Sequence, residues 1–99
     1  MMTWEQKIVQ QYGQEYIFRQ LAEEAAELCQ ASLKMVRVMQ EETPVRWQEA
    51  QAHLLEEVAD VKVMIELLSM NVISQDARLE IERICAQKQQ RMRERMLEG

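Results

Sequence analysis

Two carboxylate pairs at helical spacing carry the chemistry of this chain. Glu24 and Glu27 lie in LAEEAAEL (21–28), and Glu57 and Asp60 lie in LLEEVADV (54–61). Side chains three apart on a helix share a face, so each segment presents two acids side by side. Packed together, the two segments make a four-carboxylate box, a site for hard divalent cations. An isolated carboxylate on an apolar face is costly and tends to take up a proton. Several converging acids repel one another. A divalent cation resolves both problems, and Mg²⁺ favours oxygen ligands with positions left for water and a substrate phosphate.

The elements that must hold these acids are helices. Gly 2 and Pro 1 are low counts for 99 residues, and Glu, Gln, Ala, Leu, Met and Arg are abundant; both facts predict an all-α chain. Its length sets one domain, 1–99. With 47% hydrophobic and 29% charged residues it is not a disordered chain. A short helix is expected over 3–12, with Gly13 as its stop. A long helix follows over 15–40, with an apolar stripe of Leu21, Ala25, Leu28, Ser32, Met35 and Met39. In EETPV (41–45), Thr43 reads as an N-cap and Pro44 as the first turn of a second long helix, 44–71. That helix bears Trp47, Leu54, Val61, Ile65 and Leu68 on its apolar side. NVISQD (71–76) reads as a turn with Ser74 as N-cap of a last helix, 75–97. The architecture expected is an antiparallel bundle built on the two long helices, with the others flanking.

On helical wheels at about 100° per residue, Glu57 falls within the apolar face and Asp60 on its flank, beside Met64 and Leu67. Glu24 borders the stripe of the first long helix, and Glu27 lies one step further out. Glu23 and Glu56 turn to solvent. On the last helix, Ile81, Ile84, Cys85 and Met92 form the apolar face; Lys88 falls inside it, Arg95 close by and Arg91 at the edge. These cations either snorkel or pair with acids of neighbouring helices, or they point at phosphates of a metal-bound nucleotide. His53 stands one turn before Glu57. Di-iron sites use a Glu three residues before such a His, and position 50 is Ala, so His53 reads as a polar neighbour of the acids or as surface.

The pattern Glu23-Glu24-x-x-Glu27 followed by Glu57-x-x-Asp60 resembles the MazG-like nucleoside triphosphate pyrophosphohydrolases, of the all-α NTP pyrophosphatase superfamily. YGQE (12–15), EEVADVKVMIELL (56–68) and Ile84-x-x-x-Lys88-x-x-Arg91 extend the resemblance across residues 10–95. Two features depart from it: the stretch between Glu27 and Asp60 is long, and Ile17 stands where many small members carry Gln. The resemblance implies that Glu24, Glu27, Glu57 and Asp60 hold Mg²⁺, or Mn²⁺ in its place. It also implies cleavage of a (d)NTP to (d)NMP and pyrophosphate, in nucleotide-pool housecleaning. Lys88, Arg91 and Arg95 would bind the phosphates. Glu23, Glu24 or Glu57 would take the catalytic proton, with no choice among them from sequence. Tyr16, Phe18 and Trp47 are candidates to stack on a base, or core residues. Phosphoribosyl-ATP or dUTP hydrolysis shares the same box. A non-catalytic helical dimerisation or regulatory module is the alternative class.

Net charge of -5 argues against a nucleic-acid partner held by overall charge. MMTWEQK (1–7) does not read as an apolar leader and no membrane-length apolar run is expected, and two isolated cysteines, Cys29 and Cys85, read as reduced, mostly buried thiols of a cytoplasmic protein. The helices are more broadly apolar than one short bundle can cover, with eight Met residues among them, so a homodimer or tetramer is expected.

Overall fold

The helices start and stop where side chains and glycine can satisfy the backbone groups that helix ends leave free. The computed structural model describes residues 1–71 and 73–98. The first helix, α1 (Trp4–Tyr12), opens with a reciprocal capping box: Thr3 Oγ1 accepts from the Gln6 N–H at 3.2 Å, and Gln6 Oε1 accepts from the Thr3 N–H at 2.9 Å. Gly13 ends it at φ +86°, a conformation that favours glycine, and donates its N–H to the Val9 carbonyl at 2.8 Å. The chain re-enters helix at once as α2 (Gln14–Met39). Helices α3 (Trp47–Asn71) and α4 (Gln75–Arg93) follow, and α4 runs into a π-helical turn, Glu94–Glu98. Ser74 Oγ caps α4 by accepting from the Ala77 N–H at 3.1 Å. Among the described residues the chain is all-helical, with no strand.

The long hairpin turns differently from the expectation. Helix α3 begins at Trp47, not at 44, and its first backbone bond runs from the Ala50 N–H to the Arg46 carbonyl at 3.1 Å. Thr43 caps no helix; its hydroxyl accepts from the Val45 N–H at 3.5 Å, inside the loop. The reason lies in how α2 ends. Glu41 takes a positive φ of 57°, while the Glu42 N–H reaches back to the Arg37 carbonyl at 2.8 Å and the Glu41 N–H to Val38 at 3.1 Å. This Schellman arrangement consumes residues 41 and 42. The rest of the loop is then needed to cross the roughly 8–10 Å between packed helix axes.

Helices α2 and α3 make the main interface of the chain, and α1 packs on both. Ile17, Met64 and Leu67 form the buried cluster, with Ile8, Val9, Leu21 and Leu68 against it. Ala31 and Ala50 are buried on α2 and α3 towards the loop end of the hairpin. The inward face of α3 is therefore centred nearer Met64 and Leu67 than the expected stripe. Ile65 and Trp47 are exposed, at 48% and 44%. Packing of α1 through Ile8 and Val9 accounts for this rotation, because it adds a second surface on the Met64–Leu67 side of α3.

Helix α4 does not flank the hairpin as expected: its packing is with its own π-helical turn. Every residue of α4 except Ala77 is exposed. Local pairs hold its surface instead, Arg83 with Glu80, and Gln90 with both Arg93 and Glu94. Both cysteines are free and exposed, contrary to the buried thiols expected: Cys85 lies on the uncovered face of α4, and Cys29 points about 100° away from Leu28 on α2. The radius of gyration, 17.3 Å, exceeds the roughly 13 Å of a compact chain of this length. No helix among the described residues is long and apolar enough to cross a membrane.

Candidate metal centre

The antiparallel course of α2 and α3 sets Glu24 and Glu27 opposite Glu57 and Asp60, midway along the hairpin. One carboxylate oxygen from each of the four lies within 4.8 Å of the others. Glu57 is the buried member at 8% exposure. Glu24 is half-buried, and Glu27 and Asp60 are exposed. The centre therefore has a closed floor, made by Glu57 and Glu24, and an open rim. Glu23 and Glu56 are exposed and stand outside the group, in the order that the helical wheels assign.

The electrostatics follow from this placement. Burial pushes the Glu24 carboxyl above its ordinary range, and the charges of Glu27, Asp60 and Glu57 push it further. Burial also raises Glu57, joined by the close approach and charge of Glu27 and by the charge of Asp60. His53 opposes that rise, with Nε2 at 3.2 Å from Glu57 Oε1. The contact makes His53 a polar neighbour of the buried acid. Its signal in the sequence is the four-residue interval to Glu57, one helical turn.

Two oxygens in the centre, Glu24 Oε2 and Glu57 Oε2, are buried without a hydrogen-bond partner. Orphaned acceptors of this kind are rare in folded proteins and call for an explanation. The donor set is all carboxylate, the oxygen-only chemistry that suits Mg²⁺ or Mn²⁺ and not soft metals. The residues present thus fit a hard divalent cation.

The other expected site residues are dispersed. Lys88, Arg91 and Arg95 line a shallow pocket with Met92 on α4, which has no packed interface with α2 or α3. Tyr16 stacks on Tyr12, centroids 4.8 Å apart. Both border a groove with Glu15, Arg19, Gln20 and Glu23. Trp47 opens α3, ten residues from Glu57 and so roughly 15 Å along the helix. Tyr16 and Trp47 therefore stand at opposite ends of the hairpin. Phe18 is exposed and Ile17 is wholly buried, a core residue. No family model, curated protein or solved structure matches the chain.

Proposed function

We propose that this chain is a MazG-like, Mg²⁺-dependent nucleoside triphosphate pyrophosphohydrolase that cleaves a (d)NTP to the monophosphate and pyrophosphate. The observation that carries the reading is the group of four carboxylates on α2 and α3, two of them with buried, unpartnered oxygens. Glu24, Glu27, Glu57 and Asp60 would hold the cation. Bound there, Mg²⁺ supplies charge neutralisation for phosphate oxygens and acidifies a water for attack on phosphorus.

The chain's own groups have distinct parts. His53 Nε2 stands 3.2 Å from one oxygen of Glu57, and the other oxygen is buried without a partner. The raised carboxyls of Glu24 and Glu57 bind protons more readily than solvated acids do, which suits one of them to receive a proton when it is not engaged with metal. Exposed Glu23 is the other acceptor, at the mouth of the groove that Tyr12 and Tyr16 border. Stacked on each other and open to solvent, those rings offer a face to a base. Lys88, Arg91 and Arg95 would neutralise the triphosphate tail in an assembled homo-oligomer, where a neighbouring copy brings α4 to the acids.

The test is pyrophosphate release from purified protein with Mg²⁺, over canonical and modified dNTPs, dUTP and phosphoribosyl-ATP. Turnover on one of them, lost with EDTA and lost in Glu57→Gln, is the expected outcome. No turnover on any, with no metal-dependent shift in melting temperature, overturns the reading. A helical dimerisation module would instead tolerate Glu57→Gln in full.

A further inference from the structure

The side of α3 turned away from α2 is the second apolar surface of the molecule. Leu55, Val58, Val63 and Ile65 are exposed on α3. Ala59, Lys62, Val63, Ile65 and Glu66 line an open groove there. Its centre holds two opposite charges one helical turn apart, Lys62 and Glu66. No ion pair joins them, and the order Lys before Glu is the less favourable one for a pair within a helix.

We propose that a second copy of this chain docks antiparallel along this face, about a two-fold axis at the level of Met64. In a two-fold interface, positions equidistant from the axis meet their opposites on the other copy. Residues 62 and 66 are equidistant from 64, so Lys62 of each copy faces Glu66 of the partner subunit. Val63 and Ile65, one residue to either side, lie on opposite edges of this face, about 160° apart around α3, so each meets its own counterpart along its edge at the axis. Leu55 and Val58 extend the apolar seam in one direction, and exposed Met70 extends it in the other.

Two quantities on the page favour a copy of the same chain over an unrelated partner. The groove is self-complementary in charge only when antiparallel with itself. The chain also exposes 7931 Å², about 2,000 Å² more than the roughly 5,900 Å² expected of a compact monomer of its mass. That excess is of the order that each chain of a stable homodimer buries. Part of it belongs to α4; the α3 face contributes its share without net charge. The proposal gives the homo-oligomer a surface, and its test reads mass, not activity, so either idea can fail without the other.

The experiment is sedimentation or light scattering at micromolar concentration on wild type, Lys62→Glu, Glu66→Lys and the double variant, with circular dichroism as the check on folding. Wild type is expected to be at least dimeric. Each single variant places like charges opposite each other twice and should weaken the dimer at least about tenfold. The double variant, with the charges exchanged, should return to the wild-type mass. An equimolar mixture of the two single variants should form a mixed dimer, because one copy is then acidic at both positions and the other basic. A monomeric wild type overturns the proposal, as do single variants that dimerise like wild type. A mixture of folded single variants that stays monomeric overturns it too.

Discussion

Helices α2 and α3 and helix α4 treat charge in opposite ways. The hairpin gathers four acids of one sign between its helices and leaves two of their oxygens without a partner. Helix α4 displays both signs on an open surface, with Glu80 held by Arg83 and Glu94 by Gln90. A helix whose polar groups are satisfied locally requires nothing further at those positions. The hairpin carries a cost that protonation or a bound cation offsets. Unresolved charge of this kind is what supports the proposed cation site, whereas charge satisfied locally needs no ligand.

The largest effect expected from this difference is on the proposed pyrophosphohydrolase activity. Glu57→Gln and Asp60→Asn should each lower pyrophosphate release by about a hundredfold or more while helix content by circular dichroism stays at the wild-type level. Lys88→Gln should cost less, about tenfold, because a single cation among three is lost. A Lys88→Gln loss as deep as that of Glu57→Gln would erase the distinction between the two regions.

Stability separates them next. Leu67→Ala removes a buried side chain from the cluster with Ile17 and Met64, and should cost about 2–5 kcal/mol in urea unfolding. Ile84→Ala on exposed α4 should stay within about 0.5 kcal/mol. Equal costs would mean that α4 is packed as firmly as the hairpin.

The response to pH should also split. Glu24 and Glu57 are raised above their ordinary 4.5 by burial and by their acidic neighbours. Between 4.5 and the raised values the folded chain binds more protons than the unfolded one, so stability falls as pH rises through that window. Metal-free protein should therefore melt higher as pH is lowered from neutral towards 4.5. Glu80 is lowered by Arg83, so its small contribution has the opposite sign, present above 4.5 and lost below it. Saturating Mg²⁺ should reverse the trend of the hairpin, because protons then compete with the cation. A melting temperature that is flat from neutral pH down to 4.5 without metal would remove the case for strained acids.

The ranking of the acids was legible in the sequence because it depends only on angle about a helix axis. Glu57 inside, Glu24 at the border and Glu23 outside follow from spacing alone. What spacing cannot state is which surface covers an apolar face. Ile65 and Trp47 fall on the expected stripe, yet α1 shifts the buried side of α3 towards Met64 and Leu67. Cys85, Ile81 and Ile84 form a stripe on α4 that is left exposed among the described residues. The start of α3 was misplaced for a similar reason: Thr43-Pro44 has good capping chemistry, but the end of α2 had already taken the residues before it.

The smallest expected effect tests those helix ends. Glu41 holds the left-handed position that glycine usually fills, at φ 57°, and its Cβ meets the steric penalty that L-residues bear there. Glu41→Gly keeps both backbone bonds to Arg37 and Val38 and removes that penalty, so it should stabilise the hairpin by up to about 1 kcal/mol. Glu94 ends the regular part of α4 at φ -61° and ψ -45°, ordinary helical values. Glu94→Gly there relieves nothing, adds backbone freedom, and loses the carboxylate that accepts from Gln90; it should destabilise its helix by about 1 kcal/mol. One substitution type thus has opposite signs in the two regions. Thermal melting reads the first, and faster amide exchange over the last turns of α4 reads the second. A destabilising Glu41→Gly would show that the turn between α2 and α3 depends on the Glu41 side chain rather than on its backbone conformation.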